Sequence, residues 1–325
     1  MPVLENIDYS PPALLRNPHF NTIYPHLFRK VNGVRYQRER MDTPDGDFLD
    51  LDFSKVGSDT LVLVVHGLEG NSERGYMQGM VRAINRNGWD AVAVNQRGCS
   101  GEANKLYVSY HSGKTDDLDT AVRYVLQKHH YQHLLLVGFS LGGNIVLKYT
   151  GENGSALPPF VKAVAAVSVP CDLKSASVAL HHRSNFIYLK RFIRSLKKKA
   201  LAKKQLFPEA PFTVAQIEGV KDFDDFDNMY TGPAHGFKDA EDYWAKSSSK
   251  QFLPRVTVPS LLINALDDSF LAAGCYPFEE ARNNPQFHLV TPQFGGHVGF
   301  TQNWLLKDDM WHEHQVITFF KEHHP

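Results

Sequence analysis

Short apolar runs alternate with longer segments of helical pattern along most of this chain, and this alternation constrains its fold more than any other feature. Runs rich in Val, Leu and Ile predict buried strands at residues 61–66, 90–95, 134–139, 161–169, 260–265 and 286–291. Apolar periodicity predicts helices at residues 73–86, 116–128, 142–149, 276–283 and 308–323. Strands that alternate with helices predict an α/β fold, in which a mostly parallel central sheet has helices on both faces.

Residues 171–255 interrupt the alternation, because they contain helical and irregular patterns but no evident buried strand. We interpret them as a helical cap inserted into one domain that spans residues 1–325. Within this segment, residues 186–204 carry an apolar stripe at spacings of three and four, formed by Phe186, Leu189, Ile193, Leu196 and Ala200.

The other face of this cap helix is basic. Residues 186–204 contain no acidic residue and eight basic ones: Lys190, Arg191, Arg194, Lys197, Lys198, Lys199, Lys203 and Lys204. Two interpretations remain open. Either the helix makes transient contact with an anionic membrane surface or an anionic substrate group, or it is the solvated outer face of a lid.

Charge and cysteine content exclude several classes of protein. Lys and Arg total 35, as do Asp and Glu, so no nucleic-acid partner is expected. Cys99, Cys171 and Cys275 form no CxxC pair, which argues against a disulfide framework or a cysteine zinc site and favours a reducing compartment. Because the sequence has no secretory signal pattern and no spanning apolar stretch, we expect a cytoplasmic protein without an obligate protein partner.

The strongest local signal is a Gly-x-Ser-x-Gly sequence at residues 138–142, directly after the apolar residues 134–137. Gly138, Gly142 and Gly143 leave room for the sharp strand-to-helix turn that exposes a nucleophilic serine. The pentapeptide alone is a weak signal, because Gly and Ser are common residues. Its position between a predicted strand and a predicted helix makes Ser140 the candidate nucleophile.

A serine nucleophile needs a base, and the chain has sixteen histidines. His297 follows a predicted strand by a few residues and has glycines on both sides, so its loop can bring an imidazole close to other backbone. His288 lies inside a predicted strand and suits a packed role. Solvent exposure is expected for the histidines of the C-terminal helix and tail: His312, His314, His323 and His324. His297 is therefore the predicted base.

The imidazole in turn needs a carboxylate that fixes its tautomer. Asp267 and Asp268 follow the predicted strand 260–265 and lie between Ser140 and His297 in the chain, which is the Ser-Asp-His order of α/β-hydrolases. Counting from the strand start favours Asp268, with Asp267 as a turn residue. Asp172, after the strand 161–169, is a more distant alternative.

Acyl transfer also needs N–H donors for the developing oxyanion. One donor is the backbone N–H that follows the nucleophile, here that of Leu141. The sequence His66-Gly67-Leu68-Glu69-Gly70 ends an early strand and points to the N–H of Leu68 as the second donor. In this interpretation His66 is structural and holds the loop.

These pieces together resemble the YheT-like branch of the α/β-hydrolases, whose relatives include the abhydrolase-domain proteins 1, 2 and 3 and the yeast medium-chain ester synthases. The matching segments span nearly the whole chain: LRNPH at 15–19, TPDGDF at 43–48, HGLEG at 66–70, NQRGCSG at 95–101, YHSG at 110–113, GFSLGG at 138–143, NALDD at 264–268 and GGHVGF at 295–300. The resemblance implies carboxylic-ester hydrolysis and carries Ser140, Asp268 and His297 over as the triad. It leaves the substrate open, because members act on short acyl esters, monoacylglycerols or phospholipids.

We therefore infer a serine esterase that forms an acyl-enzyme with a small-molecule acyl ester or lipid and requires no metal or organic cofactor. Two alternatives remain. An alcohol could replace water as the acyl acceptor, which would make the protein an acyltransferase, or the scaffold could be a non-catalytic binding protein.

Overall fold

A nine-stranded sheet organises the part of the chain that the computed structural model describes, which is residues 3–4, 8–307 and 309–324. Its strands are β1 Val3–Leu4, β2 Gln37–Asp42, β3 Phe48–Ser54, β4 Thr60–Val65, β5 Asp90–Asn95, β6 His133–Phe139, β7 Val161–Val167, β8 Ser260–Ile263 and β9 Phe287–Val290. They lie in the order β1-β9-β8-β7-β6-β4-β5-β3-β2. The first seven strands in this order, from β1 through β9 to β5, are parallel to one another. By contrast, β3 pairs antiparallel with β5 and with β2.

Twelve α-helices lie within the described residues. They are α1 Pro18–Phe28, α2 Gly75–Arg86, α3 Thr115–His129, α4 Leu141–Asn153, α5 Leu173–Leu180, α6 Phe186–Leu206, α7 Val214–Gly219, α8 Phe223–Phe226, α9 Gly232–Ala234, α10 Ala240–Ser247, α11 Phe278–Asn283 and α12 Trp311–His323. A π-helix, Asp227–Thr231, connects α8 to α9.

Side chains of successive strand residues point to opposite faces of the sheet, and this gives the protein two main cores. In β4, Leu61 and Leu63 belong to one core, which α3 and α4 cover. Val62 and Val64 belong to the other core, which α2 and α12 cover. The predicted α/β fold, a mostly parallel sheet with helices on both faces, is confirmed.

The six predicted strands are β4 to β9, and their bounds agree within a few residues. The predicted helices correspond to α2, α3, α4, α11 and α12. Asp308, the first residue of the last predicted helix, lies outside the described residues, and α12 begins at Trp311. The sequence analysis did not identify β1, β2, β3 or α1.

The strand β3 was missed because its buried side chains include two carboxylates. Asp50 and Asp52 are almost inaccessible to solvent. Arg40 and Arg38 on β2 pair with them at 2.8 and 2.7 Å, respectively. The two carboxylates interrupt the continuous apolar run by which the other strands were identified. Their burial becomes tolerable only because the neighbouring strand neutralises them.

Residues 171–255, all of them described, contain α5 to α10 and no strand. We call this segment the helical insert. It lies in the chain between β7 and β8 and builds a core of its own around Ile193, Leu196 and Phe226. The expectation of a uniformly basic outer face on α6 is wrong for two residues, because Lys199 binds Glu69 and Lys203 is buried against backbone carbonyls of residues 104 and 106.

The amino-terminal helix α1 is fastened to the carboxyl-terminal helix α12 by a buried ion pair. Arg29, which follows α1, makes two hydrogen bonds to Glu313 of α12, at 2.6 and 2.7 Å. Both side chains are at least 98% buried. The neighbouring His312 is buried as well, so the expected exposure of that histidine is wrong. Its helix turns it inward toward Phe139 and Phe300.

Candidate active site

Ser140 lies at the sharp turn between β6 and α4. Its backbone has φ 51° and ψ −120°, a conformation that a non-glycine residue adopts only when its surroundings enforce it. The turn is crowded: a Cβ atom at Gly138 would lie 2.3 Å from the carbonyl oxygen of Gly142, and one at Gly142 would lie 2.3 Å from that of Val65. Glycine at both positions is therefore a steric requirement of the turn that presents Ser140.

Ser140, His297 and Asp268 form a continuous chain of hydrogen bonds. The Nε2 atom of His297 lies 2.9 Å from the Ser140 Oγ, and the Nδ1 atom lies 2.8 Å from the Asp268 Oδ2. An ionised carboxylate can only accept, so the proton resides on Nδ1 and Nε2 accepts the serine hydroxyl. Asp268 is nearly inaccessible to solvent, and its other oxygen accepts the N–H of Phe270 at 3.0 Å.

The loop that carries His297 is held from several elements. The backbone N–H of His297 donates to Thr22 of α1 at 2.8 Å, and that of Val298 donates to Ser168 at 2.9 Å. The Phe270 ring stacks on the imidazole with centroids 4.2 Å apart. Gly296 has φ 58°, and a Cβ there would lie 2.4 Å from the Pro18 carbonyl oxygen. Hydrogen bonds to the backbone of its loop and the stacked Phe270 ring thus both hold the imidazole in place.

The alternative acids occupy other positions. Asp267 accepts the N–H of Gly296 at 2.9 Å and so supports the histidine loop. Burial raises the pKa of Asp267 to about 6. Asp172 is the N-cap of α5, where it accepts the N–H of Ser175. Of the three carboxylates that the sequence left open, Asp268 is the one that contacts the imidazole of His297.

His66 holds the loop after β4, as its sequence position suggested. Its Nε2 accepts the N–H of Gln96 at 3.1 Å, and its Nδ1 lies 2.8 Å from the Gly67 carbonyl oxygen. Burial lowers the pKa of His66 to about 4, so the ring is neutral at ordinary pH. Backbone groups of Gly67 and Gln96 occupy both ring nitrogens, which leaves His66 no free atom for proton transfer to Ser140.

Two backbone N–H groups next to Ser140 are free to donate. Within the described residues, no acceptor is hydrogen-bonded to the N–H of Leu68 or of Leu141, whereas the N–H of Ser140 donates to the Val167 carbonyl at 2.9 Å. Leu141 is the first residue of α4, where the N–H has no intrahelical partner. Both leucines line the cavity that contains Ser140.

Glu69, the residue after Leu68, is anchored by the helical insert. It has φ 55°, and its N–H donates to the Tyr110 hydroxyl at 2.9 Å. That hydroxyl donates back to the Glu69 carboxylate at 2.7 Å. Lys199 of α6 pairs with the same carboxylate at 2.8 Å, and Ser195 donates to it. Burial raises the pKa of Glu69, but Lys199 and these hydrogen bonds outweigh burial and bring it below its ordinary value.

Two cavities meet at Ser140. The first, which we call the apolar cavity, has an empty volume of about 820 Å³ and is lined mainly by apolar side chains of the helical insert, including Leu173, Phe192 and Trp244. One buried carboxyl interrupts this lining. Asp227 accepts hydrogen bonds from Trp244 at 2.8 Å and Thr231 at 2.6 Å, and burial raises its pKa to about 7.

The second, the wide cavity, has an empty volume of about 1450 Å³ and lies between α1, α2 and the start of α6. Its lining includes Ile23, Leu27 and Ile187 together with Arg74 and Arg191. The two cavities share five lining residues, which are Leu68, Ser140, Phe192, Phe270 and His297. A substrate with its reacting carbon at Ser140 therefore has two separate directions in which to extend.

Several residues around the site had no interpretable signal in the sequence. Phe270, Thr22 and Lys199 contact the site from three distant segments, and only the fold brings them together. A partial signal existed for α1, because residues 15–19 belong to the segments that resemble the YheT-like branch. In the described part of the chain, no group of three or more His, Cys, Asp or Glu residues is arranged so that it could hold a metal ion.

Several known proteins are similar to this chain in sequence. A family model described as alpha/beta hydrolase fold matches residues 60–206. The YheT protein of Escherichia coli (strain K12) is 33% identical over 314 residues, which cover 95% of this chain and 92% of YheT. Phospholipase ABHD3 of Bos taurus is 29% identical over 278 residues, or 83% of this chain and 67% of that protein.

A monoacylglycerol lipase of Saccharomyces cerevisiae is 26% identical over 300 residues, which cover 90% of this chain and 65% of the lipase. Among solved structures, the Pyrococcus furiosus esterase PF2001 superposes with a TM-score of 0.60 and covers 98% of both chains. The identity to PF2001 is 16%, so this similarity concerns the fold alone.

Proposed function

The chain belongs to the YheT-like family of esterase- and phospholipase-type α/β-hydrolases, and from this premise we propose that it is a serine esterase whose triad is Ser140, His297 and Asp268. The observation that carries the proposal is the hydrogen-bond chain from Ser140 Oγ through the imidazole to the Asp268 carboxylate. Such a chain is what a hydroxyl needs to become a nucleophile at neutral pH.

In the first step His297 Nε2 takes the proton of Ser140 as its oxygen attacks the ester carbonyl. The imidazolium that forms is stabilised by Asp268 at Nδ1. The carbonyl oxygen acquires negative charge, and the free N–H groups of Leu68 and Leu141 donate to it. Collapse of the tetrahedral intermediate transfers the proton from His297 to the leaving alcohol and leaves the acyl group on Ser140.

In the second step water attacks the acyl-enzyme, with His297 as its base, and the carboxylic acid is released. The apolar cavity suits the acyl chain, because its lining is mostly hydrocarbon. The wide cavity suits the alcohol portion, since it offers both apolar and cationic side chains. The helical insert lines the apolar cavity and contributes α6 residues to the wide one, which supports its role as a cap.

Turnover of a chromogenic short-chain ester tests the proposal. Ser140→Ala should lower kcat/KM by at least about 10⁴-fold, and it should abolish labelling by a fluorophosphonate probe. Ser177→Ala is the matched control, because it removes another hydroxyl that lines the apolar cavity and should preserve labelling. Undiminished turnover by purified, folded Ser140→Ala protein would refute the proposed nucleophile.

A further inference from the structure

An apolar surface surrounds the opening of the wide cavity. Its side chains come from α1, from the start of α6 and from the segment before α12. We call it the mouth patch, and its members are Ile23, Leu27, Phe28, Phe186, Ile187, Trp304 and Leu305, each between 37 and 73% exposed. Three of them, Ile23, Leu27 and Ile187, also line the wide cavity, so the patch continues into the candidate active site.

The segments of the mouth patch are fixed relative to one another. His19 of α1 stacks on Tyr188 of α6, and their polar atoms lie 3.3 Å apart. Tyr24 of α1 packs edge-on against Trp304 and donates its hydroxyl to the Trp304 carbonyl at 2.8 Å. The patch is therefore a fixed surface whose large apolar side chains face water. A monomeric protein gains no stability from this exposure.

The mouth patch has a cationic rim on its α6 side. Lys190, Arg191, Arg194 and Lys198 of α6 are exposed, and none of them has a carboxylate partner in the described part of the chain. No acidic residue occurs in the sequence between Asp8 and Glu39, which includes all of α1, or within α6. The wide cavity has one acidic lining residue, Glu69, and Lys199 neutralises it.

We propose that the mouth patch and its cationic rim dock this protein on an anionic lipid surface, with the wide cavity opening toward the lipid. Apolar side chains beside a row of cations on α6 match the two components of such a surface, the acyl boundary and the anionic head groups. Docking does not depend on the proposed esterase function. The delivery of lipid esters from the surface to Ser140 does depend on it.

Vesicle flotation of the Ser140→Ala protein tests docking without turnover. The protein should float with vesicles of phosphatidylcholine and phosphatidylglycerol but not with phosphatidylcholine alone, and added salt should weaken binding. Phe28→Ser/Leu305→Ser, both at exposed positions that do not line either cavity, should weaken binding at least about tenfold. Lys190→Glu/Arg194→Glu should weaken it more, by about fivefold for each cation removed.

Val56→Ser/Phe160→Ser is the matched control, because these side chains are also exposed but lie at the opposite, amino-terminal edge of the parallel strands. Binding equal to the unmodified protein in both patch variants, or an equal loss in the control, would overturn the proposal. The unmodified protein could instead form a dimer and not bind vesicles, with only the patch variants monomeric. That result would assign the surface to a second copy of the chain and overturn the proposal as well.

In Ser140-intact protein, Phe28→Ser/Leu305→Ser should retain turnover of a soluble short ester and lose turnover of a vesicle-borne ester. Absence of all turnover in the unmodified protein would refute the esterase while leaving the flotation result to decide docking. The two proposals therefore fail by different measurements.

Discussion

Lys199 links the helical insert to Glu69, which directly follows Leu68. Lys199→Met tests whether this ion pair fixes the geometry next to Ser140. The methionine keeps the length and apolar stem of the lysine but removes its charge. Glu69 then retains only the hydrogen bonds from Tyr110 and Ser195. Because its side chain is 10% exposed, water cannot replace the lost cation fully.

Removal of one partner from a fully buried ion pair costs about 3–5 kcal/mol. The Lys199 side chain is 36% exposed, so solvent screening reduces this cost, and we expect about 2 kcal/mol. Urea unfolding measures it as a shift in the transition midpoint. Lys198→Met is the matched control, because its ammonium is exposed and should change stability by less than about 0.5 kcal/mol.

The destabilisation by Lys199→Met has a defined pH dependence. The pKa of Glu69 lies below its ordinary value of 4.5 in the folded protein, so the stability that its ionised pairing contributes is present above about pH 4.5. That contribution is lost as the pH falls through the lower folded pKa. The difference between Lys199→Met and the unmodified protein should therefore be largest near neutral pH and shrink in acid.

The kinetic effect should fall mainly on kcat. Glu69 directly follows Leu68, and loosening the left-handed backbone of Glu69 should displace the Leu68 N–H, which we propose as an oxyanion donor. Loss of one oxyanion donor costs about 10²–10³-fold in kcat, and a partial displacement should cost about 10–100-fold, with KM changed little. Glu69→Gln/Lys199→Met should recover most of the lost stability, since no unpaired charge remains. Equal stability and equal kcat in Lys199→Met and Lys198→Met would refute this reasoning.

Two further predictions concern the carboxylates. Asp268→Asn should lower kcat by about 10⁴-fold, because the amide favours the wrong imidazole tautomer. Asp267→Asn keeps an acceptor for the Gly296 N–H, so its kcat should stay within about tenfold of the unmodified protein. Similar losses of kcat in both variants would contradict the assignment of Asp268. The raised pKa of Asp227, about 7 against an ordinary 3.8, means that the folded state binds more protons and that this residue lowers stability as the pH rises from about 4 to 7. Asp227→Asn should therefore stabilise the protein more at pH 8 than at pH 5, with a difference of up to about 3 kcal/mol in urea unfolding. The absence of a pH-dependent difference would contradict the prediction.

The sequence was most informative where apolar pattern and steric constraint decide the structure. The strands β4 to β9 are largely apolar runs, because a parallel strand that is buried on both faces has apolar residues at most of its positions. The turn at Ser140 was also predictable, since Gly138 and Gly142 are fixed by contacts within a few residues or with one neighbouring strand.

Charged residues were the main source of error. Asp50 and Asp52 kept β3 from being identified, and Lys199 was counted with the basic face of the cap helix. Each is partly or wholly withdrawn from water because a partner on another element neutralises it. His312 was misplaced for a related reason, since the orientation of α12 rather than the residue type turns it inward. Such pairings depend on strand order and helix docking, and no local pattern encodes them.

The buried pair between Arg29 and Glu313 also sets an order of events during synthesis of the chain. Arg29 leaves the ribosome early, but Glu313 follows only after 284 further residues. A nascent chain can form the Ser140 turn on β6 long before it can dock α1, whose Thr22 holds the loop of His297. The Ser140 turn can therefore form first, whereas the surroundings of His297 can be completed only when almost the whole chain has been translated.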